Sequence, residues 1–592
     1  MIRLMTGNEA VAQGAFEAGV CYAAAYPGTP STEILENLAK FKTDVIAEWA
    51  PNEKVALESV IGASIAGVRA LAAMKMVGVN VAADPLFSVA YTGVNGGLVL
   101  VSADDPGLHS SQNEQDNRLY APFAKIPMLE PSDSQESKDM VKAAFDISET
   151  FDVPVLFRMT TRVCHSKSLV TLGKRKGTPR RLCPKDLSKF NLVPALARRQ
   201  RAKLEVKLKK LAEFSETCEF NRIEWNGPKL GIVTSGISYQ YAREVFGDTA
   251  SYLKLGFTHP LPKEMIRAFA AKVETLFVIE ELELYLEDQI RQLGIACIGK
   301  DRLPGMYELN PAIVARSLLG VDSPVIQYDA GALPPRPPVF CAGCPHRGFF
   351  FELGKKARRR NLMISGDVGC YALGYNYPLE ALDLCVCMGA GPSMAHGAQK
   401  IFNKFGDGRR VVATIGDSTF FHTGIPSLID AVYNKSNAII CILDNRTTAM
   451  TGQQDNPGSG FTLQGEPTKI IDIEAVVRAL GVDHVRVVNP RDLLKVRQAL
   501  SWAFDLDEPS VIITKYPCTL AKHEAEERSR AMTVLEAGCI GCRLCLNVGC
   551  PALSFDRGTK KARIDANACD GCGVCGYTCK SAALVIGELA DA

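Results

Sequence analysis

Eight of the chain's twenty cysteines stand in two matched runs close to its C-terminal end. Cys539, Cys542 and Cys545 are spaced C-x2-C-x2-C and are followed by Cys550-Pro551; Cys569, Cys572 and Cys575 repeat the spacing and are followed by Cys579. Three thiolates so spaced wrap three irons of one cubane, because the short loop turns each sulfur toward a common centre. The fourth thiolate of each run reaches across to the other cluster. A zinc site would favour paired C-x2-C units, often with His, and this tail has no His. A disulfide framework suits small secreted domains, not a chain of 592 residues. The spacing therefore predicts two 4Fe–4S clusters and a chain that handles single electrons.

The tail resembles a bacterial two-cluster ferredoxin, with two departures. Four residues, not three, separate Cys545 from Cys550, and Cys579 is followed by Lys580 rather than proline. The first changes the reach of one ligand and the second puts a positive charge beside a cluster. Both bear on reduction potential, which cluster charge and nearby hydrogen bonds set.

The length predicts several domains. A formal net charge of +2 supplies no global field for nucleic acid. Met1 to Ala10 lacks a basic-then-apolar leader pattern. No uninterrupted apolar run reaches a membrane span of about 18 residues. Cluster thiolates also need a reducing compartment. The expectation is a soluble, cytoplasmic protein with no nucleic-acid and no membrane partner.

Short apolar runs alternate with helical stretches over residues 1–165, for example Val99-Leu100-Val101 and Pro154-Val155-Leu156-Phe157 as strands and Val60 to Ala73 as a small-residue helix. Residues 166–228 read as a basic linker, with Lys174 to Arg181 and Arg198 to Lys210 strongly basic and Leu204 to Phe214 helical in spacing. Alternation returns at 229–330 in a small α/β domain with strands at Leu230–Thr234 and Thr275–Glu280. Pro334 to Pro338 is a hinge, 339–525 a further α/β unit, and 530–592 the cluster domain. The expected fold class is α/β: two doubly wound parallel-sheet domains plus a small α/β domain, closed by a two-cluster, ferredoxin-like α+β domain.

Within 339–525, an apolar strand Val411 to Ile415 runs into Gly416-Asp417-Ser418. A helical segment, Ile425 to Val432, and a second apolar strand, Ala438 to Leu443, lead to Asp444-Asn445-Arg446-Thr447. Two parallel strands thus deliver Asp417 and Asn445 to one carboxyl edge, where open α/β sheets bind ligands. A carboxylate, an amide oxygen and the Thr447 carbonyl are hard donors that suit Mg²⁺, whose remaining positions phosphate oxygens fill. The pattern resembles the diphosphate motif of thiamine diphosphate enzymes, G-D-G followed by N-N, with Ser418 in place of the second Gly and Asp444 in place of the first Asn. Two ordinary sheet-edge turns are the plain alternative. The pairing, one strand–helix–strand unit apart and followed by Thr451-Gly452-Gln453, speaks against it. Such enzymes also need a buried carboxylate to protonate the pyrimidine ring. Glu53, in Glu48-Trp49-Ala50-Pro51-Asn52-Glu53, is the candidate, with burial expected to raise its pKa. Glu48 and Glu58 compete with it.

Joined to a ferredoxin-like tail, these motifs resemble the 2-oxoacid:ferredoxin oxidoreductases, and more narrowly the large (alpha) subunit family of indolepyruvate ferredoxin oxidoreductase. The resemblance rests on Tyr26-Pro27-Gly28-Thr29-Pro30-Ser31-Thr32, Val79-Asn80-Val81-Ala82-Ala83-Asp84-Pro85, His109-Ser110-Ser111-Gln112-Asn113-Glu114-Gln115-Asp116-Asn117 and Cys341-Ala342-Gly343-Cys344-Pro345-His346-Arg347. It implies a pyrimidine-binding domain at 1–165, a transketolase-C-terminal-like domain at 229–330 and a diphosphate/Mg²⁺ domain at 339–525. The implied reaction is oxidative decarboxylation of an arylpyruvate such as indolepyruvate, with transfer of the acyl group to coenzyme A and electrons passing through the clusters to ferredoxin. It nominates Thr29 as facing substrate, its other role being turn and helix capping. His346 touches cofactor or substrate, or is structural. A smaller beta subunit and a dimer of heterodimers are implied. Cys341, Cys344, Cys370 and Cys518 are candidates for a third 4Fe–4S cluster, the alternative being ordinary buried cysteines. Three readings stay beside this one: the same chemistry on pyruvate or a branched-chain 2-oxoacid, a non-redox thiamine decarboxylase or synthase, and an electron carrier with an inactive thiamine fold.

Overall fold

A computed structural model of the chain describes residues 1–177, 180–183, 185–322, 328–334, 337–523 and 530–586. Pro335 and Arg336 of the proline-rich hinge lie outside the described residues, as do the last six residues of the tail. The chain forms two compact units, Met1–Tyr328 and Asp329–Ala592. Among the described residues no helix is long and apolar enough to cross a membrane.

The first unit is built on a seven-stranded sheet in the order Phe257–His259, Met128–Leu129, Val155–Thr160, Leu98–Asp104, Ala70–Lys75, Tyr22–Ala25, Ile46–Trp49. Every neighbouring pair is parallel except the first. Leu98–Asp104 and Ala70–Lys75 are buried along their whole length, as parallel strands covered by helices on both faces must be. Ala70–Lys75 corrects the helical reading of Val60 to Ala73. The helix Glu53–Ile65 ends there, Gly67 turns the chain at φ +98°, and the Ala-rich remainder is strand. An apolar run without alternation carries no period that separates buried strand from buried helix. Close packing also needs small residues between helices. A Cβ on Gly14, in the helix Gly7–Glu17, would lie 2.4 Å from the Lys138 carbonyl of the helix Ser134–Phe151.

A second sheet orders Thr275–Ile279, Leu230–Ser235, Ser251–Leu255 and Arg222–Glu224, parallel except for the last edge. Its core joins Ile232, Tyr252, Phe277, Ile279 and Val314. The strand Phe257–His259 follows directly on Ser251–Leu255 yet pairs into the larger sheet, so one continuous stretch of chain serves both sheets.

The basic segment 166–228 lies along this unit, and several of its cations bond to it while others, such as Arg199, Lys203, Lys209 and Lys210, are exposed. Arg175 donates to the carbonyls of Phe16 and Val20, and Arg181 to that of Asn95 and to Glu149. Lys189 and Lys207, the latter from the helix Pro194–Ser215, both reach Asp152 at 2.8 Å.

The second unit carries a six-stranded, wholly parallel sheet: Leu384–Cys385, Leu362–Gly366, Arg410–Gly416, Ile439–Asp444, Ser510–Lys515, His484–Val488. One face packs on Ile415, Phe420, Leu428 and Val477, the other on Phe349, Phe350, Leu493 and Leu500. Residues 530–586 add two small antiparallel pairs, Met532–Val534 with Leu584–Ile586 and Leu553–Asp556 with Lys561–Ile564. Val548 and Val574 of this segment enter the same core as Phe349 and Phe350, so it is packed onto the sheet domain rather than hung from it.

The helix Ser134–Phe151 is fixed to the second sheet through Glu136. Its carboxylate accepts from Ser132 N–H at 2.8 Å, and it pairs with Arg222 at 2.8 Å and buried Lys254 at 2.5 Å. Burial alone would raise this carboxyl; the facing Lys254 ammonium and Arg222 outweigh it and hold the group at about 2. Burial also pushes Lys254 downward, so the pair's net worth is smaller than the carboxylate's own shift implies. A depressed carboxyl pKa stabilises the fold above about pH 4.5, and that contribution is lost as pH falls toward 2. Glu136→Gln should cost about 3 kcal/mol or more, because it strands a buried ammonium. It should also flatten acid unfolding of the first unit between pH 4.5 and 2, followed by circular dichroism. An acid profile identical to that of the unsubstituted protein would contradict this.

Candidate functional site

Parallel pairing of Arg410–Gly416 with Ile439–Asp444 sets Gly416 opposite Leu443, so the residues that follow each strand emerge side by side. Asp417 opens the next helical turn and Asn445 leaves the second strand; both are buried. Arg446 at φ +58° then bends the backbone back. The Asn445 side-chain oxygen stands 3.0 Å from Asp417 Oδ1 and 2.8 Å from the Thr447 carbonyl oxygen. Turning the amide over would place its nitrogen there and make two hydrogen bonds. The oxygen-inward orientation has its own support, because Asn445 Nδ2 is 3.4 Å from His346 Nε2. Burial drives the His346 pKa down to about 4, so the ring is neutral, and Nε2 accepts from Asn445 only in the Nδ1–H tautomer. Three oxygens facing one another need a shared proton or a cation between them. Oxygens about 2.1 Å from an octahedral Mg²⁺ and at right angles stand about 3 Å apart, the spacing found here. Burial, and then the nearby carboxylate of Asp444, push Asp417 up to about 8.

Around this corner, Thr448 donates to Ser418 Oγ at 2.8 Å and Thr447 Oγ1 donates to the Gln454 carbonyl at 3.0 Å. Sequence reasoning missed Asn456, whose Nδ2 donates to Asp417 Oδ2 at 3.0 Å. Its position soon after Thr451-Gly452-Gln453 was the available signal. It also missed Asp367, buried beside the site, pushed up to about 7 by burial, and with Oδ1 unpartnered.

In the first unit, Thr29 and Glu53 each follow by four residues the ends of adjacent parallel strands, whose last residues Ala25 and Trp49 are paired. Thr29 is half-buried in a turn closed by Ser31 Oγ donating to the Gly28 carbonyl at 2.8 Å; Ser31, not Thr29, is the residue before the helix Thr32–Leu38. Glu53 is 5% exposed at the first position of its helix, behind Asn52, whose side chain caps Val55 N–H. A Cβ on Gly78 would lie 2.7 Å from the Glu53 carboxylate, so glycine there lets the carboxylate pack against the backbone. Glu48 and Glu58, by contrast, are exposed, held by Tyr22 and Lys54. Lys75, also missed from sequence, ends the strand beside them. It is buried, it donates to the Ser110 carbonyl at 2.5 Å, and desolvation lowers it to about 8.

The tail cysteines gather in two crossed sets. Cys545 lies near Cys542, Cys579 and Cys539, and Cys575 near Cys572, Cys550 and Cys569 as well as Cys545 of the other set. Cys539, Cys542, Cys545 and Cys579 line a small hollow with Ile540 and Leu584. Backbone N–H groups already point at sulfur: Ala562 at Cys539, Ala583 at Cys579, Met532 and Gly571 at Cys569. Among the described residues no three His, Cys, Asp or Glu side chains converge closely enough for one metal ion. A cubane holds its thiolates at its corners, farther apart than the ligands of a single ion. Cys341, Cys344, Cys370 and Cys518 also face one another. Cys518 N–H donates to the Asn445 carbonyl at 3.0 Å, which places this set beside the oxygen corner.

The family described as the C-terminal TPP-binding domain of thiamine pyrophosphate enzymes matches residues 367–514, which contain the oxygen corner. The family described as pyruvate flavodoxin/ferredoxin oxidoreductase, thiamine-diphosphate-binding, matches residues 13–203. Fold and site together define an α/β enzyme of the thiamine diphosphate class. The chain is 42% identical to indolepyruvate oxidoreductase subunit IorA of Archaeoglobus fulgidus over 98% of this chain and 97% of that one. It is 41% identical to the same-named subunit of Pyrococcus horikoshii over 97% and 95%. A shorter likeness, 31% identity over 28% of this chain and 47% of the other, is to 2-oxoglutarate synthase subunit KorA of Methanothermobacter thermautotrophicus. The chain belongs to the indolepyruvate oxidoreductase subunit IorA family, within the 2-oxoacid:ferredoxin oxidoreductases.

Asn456→Ala removes the donor to Asp417 Oδ2 and leaves a buried oxygen bare. It should lower the stability of the metal-free second unit by about 1–3 kcal/mol, read by thermal unfolding of the purified chain. An unchanged transition would show that Asn456 does not carry this contact.

Proposed function

We propose that this chain is the large subunit of an enzyme that oxidatively decarboxylates arylpyruvates, such as indolepyruvate, to the corresponding aryl-acetyl-CoA. One 2-oxoacid and one coenzyme A are consumed, and carbon dioxide and one thioester are released. Two electrons leave singly to two ferredoxins. The observation that carries the reading is the oxygen corner of Asp417, Asn445 and the Thr447 carbonyl. It would hold Mg²⁺ against a diphosphate, with the Ser418 hydroxyl beside it. When bound, thiamine diphosphate supplies the electron sink that loss of carbon dioxide from a 2-oxoacid requires.

The chain's own groups then have defined tasks. Glu53 holds a proton for the pyrimidine ring nitrogen. Thr29, on the neighbouring strand end, offers a hydroxyl to substrate. His346 keeps the Asn445 amide oxygen inward and remains neutral while doing so. The set Cys539, Cys542, Cys545 and Cys579 would hold one 4Fe–4S cluster, and the set Cys569, Cys572, Cys575 and Cys550 a second. The set Cys341, Cys344, Cys370 and Cys518, next to the oxygen corner, would hold a third. The aryl side chain of the substrate is supported by the identity to the IorA subunits. The partial likeness to a 2-oxoglutarate synthase subunit supports shared 2-oxoacid chemistry. A smaller beta subunit completes the enzyme in a dimer of heterodimers, in the cytoplasm.

Asp417→Ala should abolish magnesium-dependent thiamine diphosphate binding, measured by quenching of protein fluorescence, because the diphosphate charge is left uncompensated. Full binding in that variant would sink the assignment. Glu53→Gln should keep the cofactor and lose at least about 100-fold in turnover, followed as indolepyruvate-dependent viologen reduction with and without coenzyme A. Turnover on pyruvate in preference to indolepyruvate would overturn the substrate class. Iron analysis of anaerobically purified protein separates about twelve irons per chain, three clusters, from about eight, two.

A further inference from the structure

The side chain of Arg347 is 2% exposed, at the second residue of the helix His346–Ala357. Its Nη1 donates to the carbonyls of Val548 at 2.9 Å and of Gly549, and its Nη2 to those of Phe340 at 2.5 Å and Cys341 at 2.9 Å. Its Nε has no partner. A full positive charge is thus buried among four neutral carbonyls, and among the described residues no carboxylate pairs with it. The contrast with Arg491 on the same seam is direct. That guanidinium donates to the Gly343 carbonyl at 3.0 Å but is paired with Asp570 at 2.9 Å. Buried charge without counter-charge is costly, and it persists where something supplies the opposite sign.

The two loops Arg347 ties together are the loops that run into cysteines: Phe340-Cys341 toward Cys344, and Val548-Gly549 into Cys550. Four-thiolate 4Fe–4S clusters are anionic in both oxidation states, and one unit more so when reduced.

We propose that Arg347 is the buried counter-cation shared by the iron–sulfur sites on its two sides, and that it sets the reduction potential of the cluster Cys550 helps to bind. This rests on the cluster assignments above. A fixed positive charge favours the reduced, more negative form, so removing it lowers the potential. Arg347 touches no substrate; it is a positioning residue acting through charge.

The test uses the full chain, purified anaerobically with its iron, as Arg347→Gln and Arg347→Lys beside the unsubstituted protein, in potentiometric titrations followed by electron paramagnetic resonance. Lysine should keep both the iron and the potentials. Glutamine should shift the reduction equilibrium of one tail cluster at least tenfold toward oxidised, which is 59 mV for a one-electron couple, or lose the iron of that cluster. Unshifted potentials in a fully loaded Arg347→Gln overturn the inference. Equal damage in both variants overturns it too, since shape rather than charge would then be at work. Iron-free unsubstituted protein overturns the cluster reading and this inference with it.

Discussion

Parallel pairing of two strands is the constraint from which the second unit's chemistry follows. Because Arg410–Gly416 and Ile439–Asp444 run the same way in register, the chain is obliged to release Asp417 and Asn445 at one edge, where both are buried. The next strand of that sheet, Ser510–Lys515, leaves by the same edge. Its continuation stays in contact with the first two: Tyr516 N–H donates to the Asp444 carbonyl and Cys518 N–H to that of Asn445. Cys518 and the oxygen corner are therefore products of one sheet edge. The first unit repeats the logic with Thr29, Glu53 and Lys75 at the ends of three neighbouring parallel strands.

What could be read from the sequence was what local chemistry spaces along the chain. The regular intervals of the two tail runs stood out in the sequence, and the expectation that Cys550 and Cys579 cross between them rests on the same spacing. Asp417 and Asn445 were readable because one strand–helix–strand unit separates them. Glu53 was readable as one of three carboxylates; burial against Gly78, which depends on packing rather than on neighbours in sequence, distinguishes it from Glu48 and Glu58. The Ala-rich run after Ile65 misled because a strand buried on both faces has no alternation to display. Arg347 and the basic segment looked like parts of a motif and of a solvated linker, because their partners stand far off in sequence: Val548 for Arg347, Asp152 for Lys207.

The two units manage buried charge differently. Inside the first, Arg118 and Arg158 are fully enclosed and share Asp104, Asp116, Glu130 and Glu280 as directly bonded carboxylates. Such a network is stiff because every member holds the others in place. Along the seam of the second unit the cations Arg347 and Arg491 bond mostly to carbonyls, and among the described residues Asp570 is the one carboxylate directly bonded to either of them.

Gly343 lies in that seam at φ +72°, and a Cβ on it would stand 1.7 Å from Asp570 Oδ2. The cysteine-rich tail is thus notched into the sheet domain at the level of single atoms. Two-cluster segments of this kind invite treatment as cassettes, to be lifted from one protein and spliced into another. Here the cassette has been machined to its socket: a foreign ferredoxin joined near residue 530 would bring its clusters but not an aspartate matched to a glycine. The cysteine-rich tail and the domain that bears it consequently each constrain which changes the other can accept.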